Sequence, residues 1–254
     1  MTDAHCHLQY LSDIGAEVQR CKAEGITSLI CVGFDIKSSQ QAIKIATKFP
    51  NVWATVGVHP EEISNFQFPI FNELLKLAKF SKVVGIGECG LDFIESTTPE
   101  EKTRQIELLK LHIELAQETK LPLVIHNRNA DSDLLKIINY KLKIKTMLHC
   151  FTGDIMFMKE SIARGWYISF GGILTFKRSE YLREIAKLVP ENLLLIETDS
   201  PYLAPEPHRG SQNRPKNVKI VAELLAKLRG TSINRIEEIT DQNVMKLFHI
   251  PHPA

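Results

Sequence analysis

The alternation of short apolar runs with amphipathic helical segments is the feature that most constrains the fold. Eight runs rich in branched residues are each followed by a segment with helical periodicity. This order requires parallel strands joined by right-handed crossovers, and eight such units close into a TIM-type (β/α)8 barrel. An open, doubly wound sheet is the alternative. The strands are predicted at residues 1–6, 28–32, 52–58, 83–88, 123–126, 145–149, 166–170 and 193–198.

The helical segments follow the strands in turn, and a further helix is predicted at the C-terminal end. The fourth has the clearest start, because Thr98 can cap it, Pro99 suits its first position and Glu101 completes a reciprocal capping box. Apolar residues then recur at helical spacing, so one face of this helix is expected to pack inward. The helices are predicted at residues 14–24, 39–48, 69–80, 99–119, 130–140, 155–163, 180–188, 217–228 and 233–247.

Length and charge exclude several classes of protein. The 254 residues suit one large α/β domain spanning residues 1–254. The net charge is only +1, so a polyanion would have to be held by a local patch. No apolar stretch approaches the roughly 18 residues of a membrane span. The chain starts without a basic and apolar leader, and its odd number of cysteines lacks a Cys-x-x-Cys pair. We therefore expect a cytoplasmic protein without a membrane association or an obligate protein partner.

Candidate metal ligands stand where the predicted strands end. His5 and His7 are two residues apart, so they project from the same face of the first strand. The carboxyl ends of the strands in a parallel barrel all meet at one rim, where ligands from distant positions can converge. Burying several imidazoles and carboxylates together is costly unless they have partners or a metal. The further candidates are Glu88, His126, His149 and Asp199.

The size of this set indicates two ions rather than one. Six ligands are too many for one catalytic zinc with an open position, but they suit two ions about 3.5–4 Å apart that share a carboxylate. We assign His5, His7 and Asp199 to one ion, His126 and His149 to the other, and Glu88 as the bridge. The mixed imidazole and carboxylate set suits Zn, Mn, Fe or Ni better than an all-oxygen calcium site. We take Zn, Mg, Mn or Ni as the candidate ions. By strand parity, Asp3 and Glu197 lie one layer deeper, where they either orient imidazoles or form a buried salt bridge.

Seven short motifs follow one another in order along the chain. They read Asp-Ala-His5-Cys-His7-Leu, Gly-Val-His59-Pro, Gly-Ile-Gly-Glu88-Cys-Gly-Leu-Asp92, Ile-His126-Asn-Arg128, His149-Cys-Phe-Thr-Gly153, Glu197-Thr-Asp199-Ser-Pro-Tyr and Pro-His-Arg209-Gly. In these motifs the chain resembles the TatD-type metal-dependent deoxyribonucleases, relatives of the amidohydrolase barrels. The resemblance covers residues 1–247 and implies a barrel hydrolase that cleaves DNA with divalent ions.

Two departures from the family pattern bear on the substrate. The family usually has Ser-Arg-Asp after the fifth-strand histidine, where this chain has Asn127-Arg128-Asn129. It also tends to have an aromatic pair after Gly-Leu-Asp, where this chain has Phe93-Ile94. Neither departure touches a predicted ligand, but the loss of a charge beside Arg128 is expected to leave that arginine less restrained.

The expected reaction is hydrolysis by a metal-activated water. A pair of divalent ions can activate water near neutral pH, so no Ser or Cys nucleophile is needed. Asp199 is expected to orient this water, which makes Asp199 and Glu88 the catalytic candidates. Residues 200–220 carry four cations against Glu206 alone. Arg128 and Arg209 are candidates for phosphate contacts, as is His59, although Arg209 could equally be a surface residue and His59 structural.

Three classes of function stay open. A metal-dependent phosphodiesterase that trims DNA from single-stranded ends is favoured, because a narrow barrel mouth admits a strand end better than a duplex. The second class is hydrolysis of carboxyl esters or C–N bonds on the same metals, including removal of D-amino acids from tRNA. The third is a non-catalytic metal-binding or nucleic-acid-binding module. Phe93, Phe151 and Tyr202 flank ligands and either stack bases or simply line the site.

Overall fold

Eight parallel strands form the centre of the protein. The computed structural model describes residues 1–65, 70–139 and 142–251. Each strand pairs in parallel with the next strand along the chain, in the order one to eight. The strands are β1 (Thr2–Cys6), β2 (Ser28–Val32), β3 (Val52–Val56), β4 (Val83–Asp92), β5 (Leu123–Arg128), β6 (Thr146–Leu148), β7 (Tyr167–Phe170) and β8 (Leu194–Ile196).

Two backbone hydrogen bonds join the last strand of this sheet to the first. The Asp199 amide donates to the His5 carbonyl at 2.9 Å, and the His7 amide donates to the Ser200 carbonyl at 2.7 Å. The sheet is therefore a nearly closed barrel, which confirms the predicted fold class and excludes the open sheet. Three of the predicted ligands lie at this seam, so closure of the barrel itself brings the two chain regions together.

The helices alternate with the strands as the periodicity indicates. Within the described residues they are α1 (Ile14–Ala23), α2 (Ile36–Lys48), α3 (Phe71–Ala78), α4 (Pro99–Thr119), α5 (Asp131–Ile137), α6 (Ile155–Ala163), α7 (Glu180–Leu188), α8 (Val218–Arg229) and α9 (Ile233–Phe248). The capping box of α4 is confirmed, since Thr98 and Glu101 exchange hydrogen bonds between side chain and backbone amide. Residues 69 and 140, the predicted ends of two helices, lie outside the described residues. No helix of the described ranges is long and apolar enough to span a membrane.

The fourth strand differs most from its prediction. It was expected to end at Glu88, but it continues to Asp92, with Gly90 opposite His126 and Asp92 opposite Arg128 of β5. Glycine is poor in strands, so the sequence Gly-Glu-Cys-Gly indicated an end. The pairing with β5 overrides this local preference, and the register shifts between Ile86 and Cys89. Glu88 lies within this irregular stretch, so its side chain need not follow the alternation of a regular strand.

An apolar layer inside the barrel supports the rim. Val124, Met147 and Leu195 belong to one buried cluster, and each precedes a polar residue of the rim by two positions. Residues two apart in a strand share a face, so this cluster lies in the barrel interior below the polar groups. Leu247 and Phe248 at the end of α9 belong to the same cluster and cover the interior from the opposite end.

Candidate metal centre

The six predicted ligands are brought to one rim of the barrel by five strands. Apart from His126, which is partly exposed, all of them are buried. His5 lies in β1 and His7 directly follows it, Glu88 lies in β4, His126 in β5, His149 directly after β6, and Asp199 three residues after β8.

His5, His7 and Asp199 form the first cluster. The Nε2 atoms of the two histidines are 3.3 Å apart. The Oδ1 atom of Asp199 lies 3.3 Å from His7 Nε2 and 3.6 Å from His5 Nε2. Three potential ligand atoms from opposite ends of the chain thus surround one point, as the arrangement of a single ion requires.

His126 and His149 form the second cluster, and Glu88 lies between the two. His126 Nδ1 and His149 Nε2 are 3.3 Å apart. Glu88 Oε1 lies 3.2 Å from the former and 2.8 Å from the latter. Its other oxygen, Oε2, faces the first cluster at 3.4 Å from His5 Nε2. The carboxylate therefore presents one oxygen to each cluster, which is the geometry that a bridging ligand needs.

The hydrogen bonds of the outer ring nitrogens determine what the inner nitrogens can do. In His7, His126 and His149 the outer nitrogen faces an oxygen that accepts a hydrogen bond, so in the neutral imidazole the inner nitrogen carries a lone pair. These lone pairs point at one another and at the Glu88 carboxylate. All of these atoms are electron-pair donors, so they cannot form hydrogen bonds with one another, but a cation placed among them would stabilise the arrangement. The donor set fits divalent cations. The three contacts are His7 Nδ1 to Val32 O at 2.9 Å, His126 Nε2 to Asp92 Oδ2 at 2.8 Å and His149 Nδ1 to Glu197 Oε1 at 3.2 Å.

Comparison with known proteins identifies the family of this chain. A family model described as TatD related DNase matches residues 2–249. The chain belongs to the TatD-related DNase family, a group of metal-dependent hydrolases. It is 36% identical over 253 residues to the uncharacterized metal-dependent hydrolase YabD of Bacillus subtilis, covering 98% of both chains. It is also 36% identical over 250 residues to a 3'-5' ssDNA/RNA exonuclease TatD of Escherichia fergusonii, covering 95% of both.

A solved structure of the same family has nearly the same fold. The TatD homologue YJJV of Escherichia coli superposes with a TM-score of 0.93 at 26% identity, over 99% of this chain and 98% of that one. The barrel described above is therefore the fold of this family.

The site of this TatD-family protein lies in a cavity of about 500 Å³ that opens at the rim. His59 and Arg128, the predicted substrate-contact residues, both line it, and their contact with substrate stays a prediction. His59 Nε2 is 3.5 Å from Glu88 Oε1, close enough for His59 to be a further candidate ligand beside the second cluster. The Arg128 side chain is 57% exposed, and its Nη1 lies 3.8 Å from Asp92 Oδ2. Arg128 is therefore held loosely at the rim of the cavity.

Arg209 occupies a different place. Its guanidinium lies over the ring of Phe176, 4.2 Å from the ring centre, and it does not line the cavity. Its contact with substrate stays a prediction. Among the aromatic candidates, Phe93 and Phe151 are buried, whereas Tyr202 is 49% exposed and lines the cavity.

Asp92 was not recognised as part of the site by sequence reasoning. Its carboxylate accepts from His126 Nε2, and its backbone is held at both polar atoms by the side chain of Gln105, at 2.8 and 3.0 Å. Asp92 lies four residues after Glu88, so strand alternation could have placed both on one face. The prediction that β4 ends at Glu88 hid this signal.

The two deeper carboxylates have different roles. Glu197 Oε1 accepts from the Cys150 amide at 2.8 Å and faces His149 Nδ1, so it is placed to orient an imidazole, which is one of the two roles left open by the sequence. Asp3 contacts no imidazole ring within the described residues; it accepts from the Thr198 amide at 2.9 Å and from the Thr198 hydroxyl. Asp3 therefore holds the backbone next to Asp199.

Electrostatics keep the carboxylates of the site ionised. Burial raises the pKa of Glu88, but the neighbouring His149 and His59 outweigh burial and hold this pKa well below its usual range. For Asp199, burial acts in the same direction and the hydrogen bond with His7 again lowers the pKa overall. Burial lowers the pKa of His59 to about 4, so this ring is neutral at neutral pH. An ionised carboxylate is the form in which Glu88 and Asp199 can bind a metal ion.

Proposed function

We propose that this TatD-family protein is a divalent-metal-dependent phosphodiesterase that removes nucleotides from the ends of single-stranded DNA. The observation that carries the proposal is the Glu88 carboxylate, which has one oxygen toward each of two imidazole clusters on the floor of an open cavity. The family match and the name of the Escherichia fergusonii relative support a nucleic acid as substrate.

The roles of the ligands follow from the two clusters. His5, His7 and Asp199 would hold one ion, and His126 and His149 the other, with Glu88 shared. Bound Zn, Mg, Mn or Ni would supply an activated water and offset the negative charge that develops on the phosphoryl group. Asp199, kept ionised beside His7, accepts a hydrogen bond from the attacking water and orients it.

The size of the cavity and two of its lining residues favour a single-stranded end as the substrate. A volume of about 500 Å³ is that of a small-molecule pocket, so it accommodates a terminal nucleotide and not a duplex. Arg128 at the rim offers a guanidinium fork whose geometry matches two oxygens of a phosphate. His59, which is neutral, donates one hydrogen bond to a phosphate oxygen.

The test is an assay of the full-length protein on end-labelled single-stranded DNA. The protein is stripped of metal with a chelator and reloaded with each candidate metal. Its hydrolysis of the DNA is then compared with its hydrolysis of D-aminoacyl-tRNA. We expect DNA hydrolysis only with metal, and a loss of at least about 1,000-fold in Glu88→Ala, because the shared ligand is removed. Glu184→Ala, which removes an exposed carboxylate paired with Lys187, is the matched control and retains activity.

Two results would contradict the proposal. One is hydrolysis of D-aminoacyl-tRNA with no cleavage of DNA by any of the metal-loaded forms. The other is DNA cleavage that is equal in Glu88→Ala and in the control variant.

A further inference from the structure

A second cavity, of about 340 Å³, lies between α1 and the segment that leads into α8. We call it the basic cleft, because three cations line it: Arg20 of α1, and Arg214 and Lys216 of the segment after β8. Ser211 and Asn217 add polar groups to its walls. The cleft contains none of the metal-ligand candidates, and Arg209 is not among its lining residues.

A buried carboxylate holds two of these cations in place. Glu17 is fully buried, and its Oε2 accepts from Arg20 Nη2 at 2.8 Å and from Arg214 Nη1 at 2.5 Å. One carboxylate neutralises only one guanidinium. The two groups are therefore fixed beside the cleft with a positive charge in excess, and little side-chain entropy is lost when they bind an anion.

Lys216 adds a third cation. Its side chain is partly buried and lines the cleft. Glu24 is paired with Lys219 at 3.0 Å and also interacts electrostatically with Lys216, so this one carboxylate is shared between two ammonium groups. The excess of positive charge around the cleft favours an anionic ligand there.

The basic cleft is connected to the rim of the barrel through one asparagine. Asn217 Nδ2 donates to Asn213 Oδ1 at 2.8 Å, and Asn213 Nδ2 donates to the carbonyl of Thr198 at 2.8 Å. Thr198 directly precedes Asp199. The lining residue Asn217 is therefore tied by hydrogen bonds to the backbone next to the predicted ligand Asp199.

We propose that the basic cleft binds a backbone phosphate of the nucleic-acid strand whose end is hydrolysed in the cavity. This inference rests on the proposed function. Guanidinium forks and an ammonium are the groups that recognise phosphate oxygens, and such contacts need no base sequence. Free inorganic phosphate offers the same chemistry, so the experiment must separate the two sources.

The test compares two lysines beside the cleft. Lys216→Gln and Lys22→Gln remove the same charge, but only Lys216 lines the cleft, whereas Lys22 is exposed on α1. Binding of a fluorescent oligothymidylate of about twelve nucleotides is followed by anisotropy over a range of salt concentrations. We expect Lys216→Gln to weaken binding about fivefold and to lower the slope of log affinity against log salt by about 0.7, the value for one phosphate contact. Lys22→Gln changes neither quantity, and Lys216→Arg restores both.

Two outcomes overturn the inference. Equal effects of the two glutamine variants would mean that a general positive field, and not the cleft, attracts the strand. A loss of inorganic phosphate binding in Lys216→Gln, with unchanged oligonucleotide binding, would assign the cleft to free phosphate. Strand hydrolysis by the unaltered protein is measured separately. Its absence would remove the proposed function, whereas the anisotropy comparison would still decide whether the cleft holds a strand.

Discussion

At the residue scale, the candidate site depends on the hydrogen-bond acceptors of the imidazole nitrogens that point away from the metal-ligand clusters. Val32 O, Asp92 and Glu197 each accept a hydrogen bond from the outer nitrogen of one imidazole. That bond selects the tautomer and fixes the ring, so the inner nitrogen is available to a cation. Removing one of these partners should therefore weaken metal binding without removing a ligand.

Glu197→Gln tests this role directly. The substitution keeps the shape of the side chain but removes the charge that faces His149 Nδ1 at 3.2 Å. We expect a 10- to 100-fold loss of metal affinity, roughly the effect known for such partners, measured by competition with a chromogenic chelator. Glu184→Gln, on the exposed face of α7, is the control. Equal affinities of the two variants would show that Glu197 does not tune the site.

At the scale of elements, the close approach of β4 and β5 positions Glu88 next to His126. Gly90 has φ = 148°, and a Cβ there would lie only 1.9 Å from the His126 carbonyl oxygen. A glycine is therefore required where the two strands pass each other. The same glycine is the reason that the sequence predicts an end of β4 at Glu88. Strand preference reflects only the local sequence, whereas pairing with β5 depends on residues far along the chain.

Gly90→Ala should be far more damaging than an alanine at another glycine with positive φ. We expect a loss of about 3 kcal/mol or more, because steric overlap with backbone is added to the conformational strain. Gly25 has φ = 80° with no atom within 4 Å of its Cβ position, so Gly25→Ala should cost only about 1–2 kcal/mol. Denaturant unfolding measures both losses, and equal values would contradict the close approach.

A buried histidine links α4 to the segment after β3. His112 Nε2 accepts from the Val58 amide at 3.0 Å, and its Nδ1 donates to the Leu108 carbonyl at 2.8 Å. The sequence offered no function for His112, and its role is structural. It holds the backbone beside His59 in a place that only a neutral ring fits.

The neutrality of His112 makes stability depend on pH. Burial lowers its pKa to about 4 in the folded protein, against 6.5 for an ordinary histidine. Since the unfolded chain binds this proton first, the contribution is complete above pH 6.5 and is lost as the pH falls through 4. We expect His112→Gln to remove about 3 kcal/mol of this pH dependence. Unfolding free energies are compared between pH 6.5 and 4; parallel curves for the two proteins would contradict the assignment.

At the scale of the whole molecule, the sequence was sufficient for the barrel and for the convergence of the six candidate ligands. Both follow from strand periodicity and from the rule that the carboxyl ends of the strands share one rim. His5 and Asp199 could therefore be predicted to lie close together although they are far apart in the sequence. The path of a long loop follows no such rule. For this reason the sequence could not place the cations of the loop after β8. Arg209 is predicted at the mouth of the barrel, but it stacks on Phe176, and Arg214 and Lys216 line the basic cleft.

The central claim is that two cations share Glu88, and anomalous diffraction from crystals soaked in manganese or zinc tests it most directly. We expect two anomalous peaks about 3.5–4 Å apart, one between His5, His7 and Asp199 and the other beside His126 and His149, with one Glu88 oxygen facing each. Peaks elsewhere, or a single ion that Glu88 does not touch, would contradict the account.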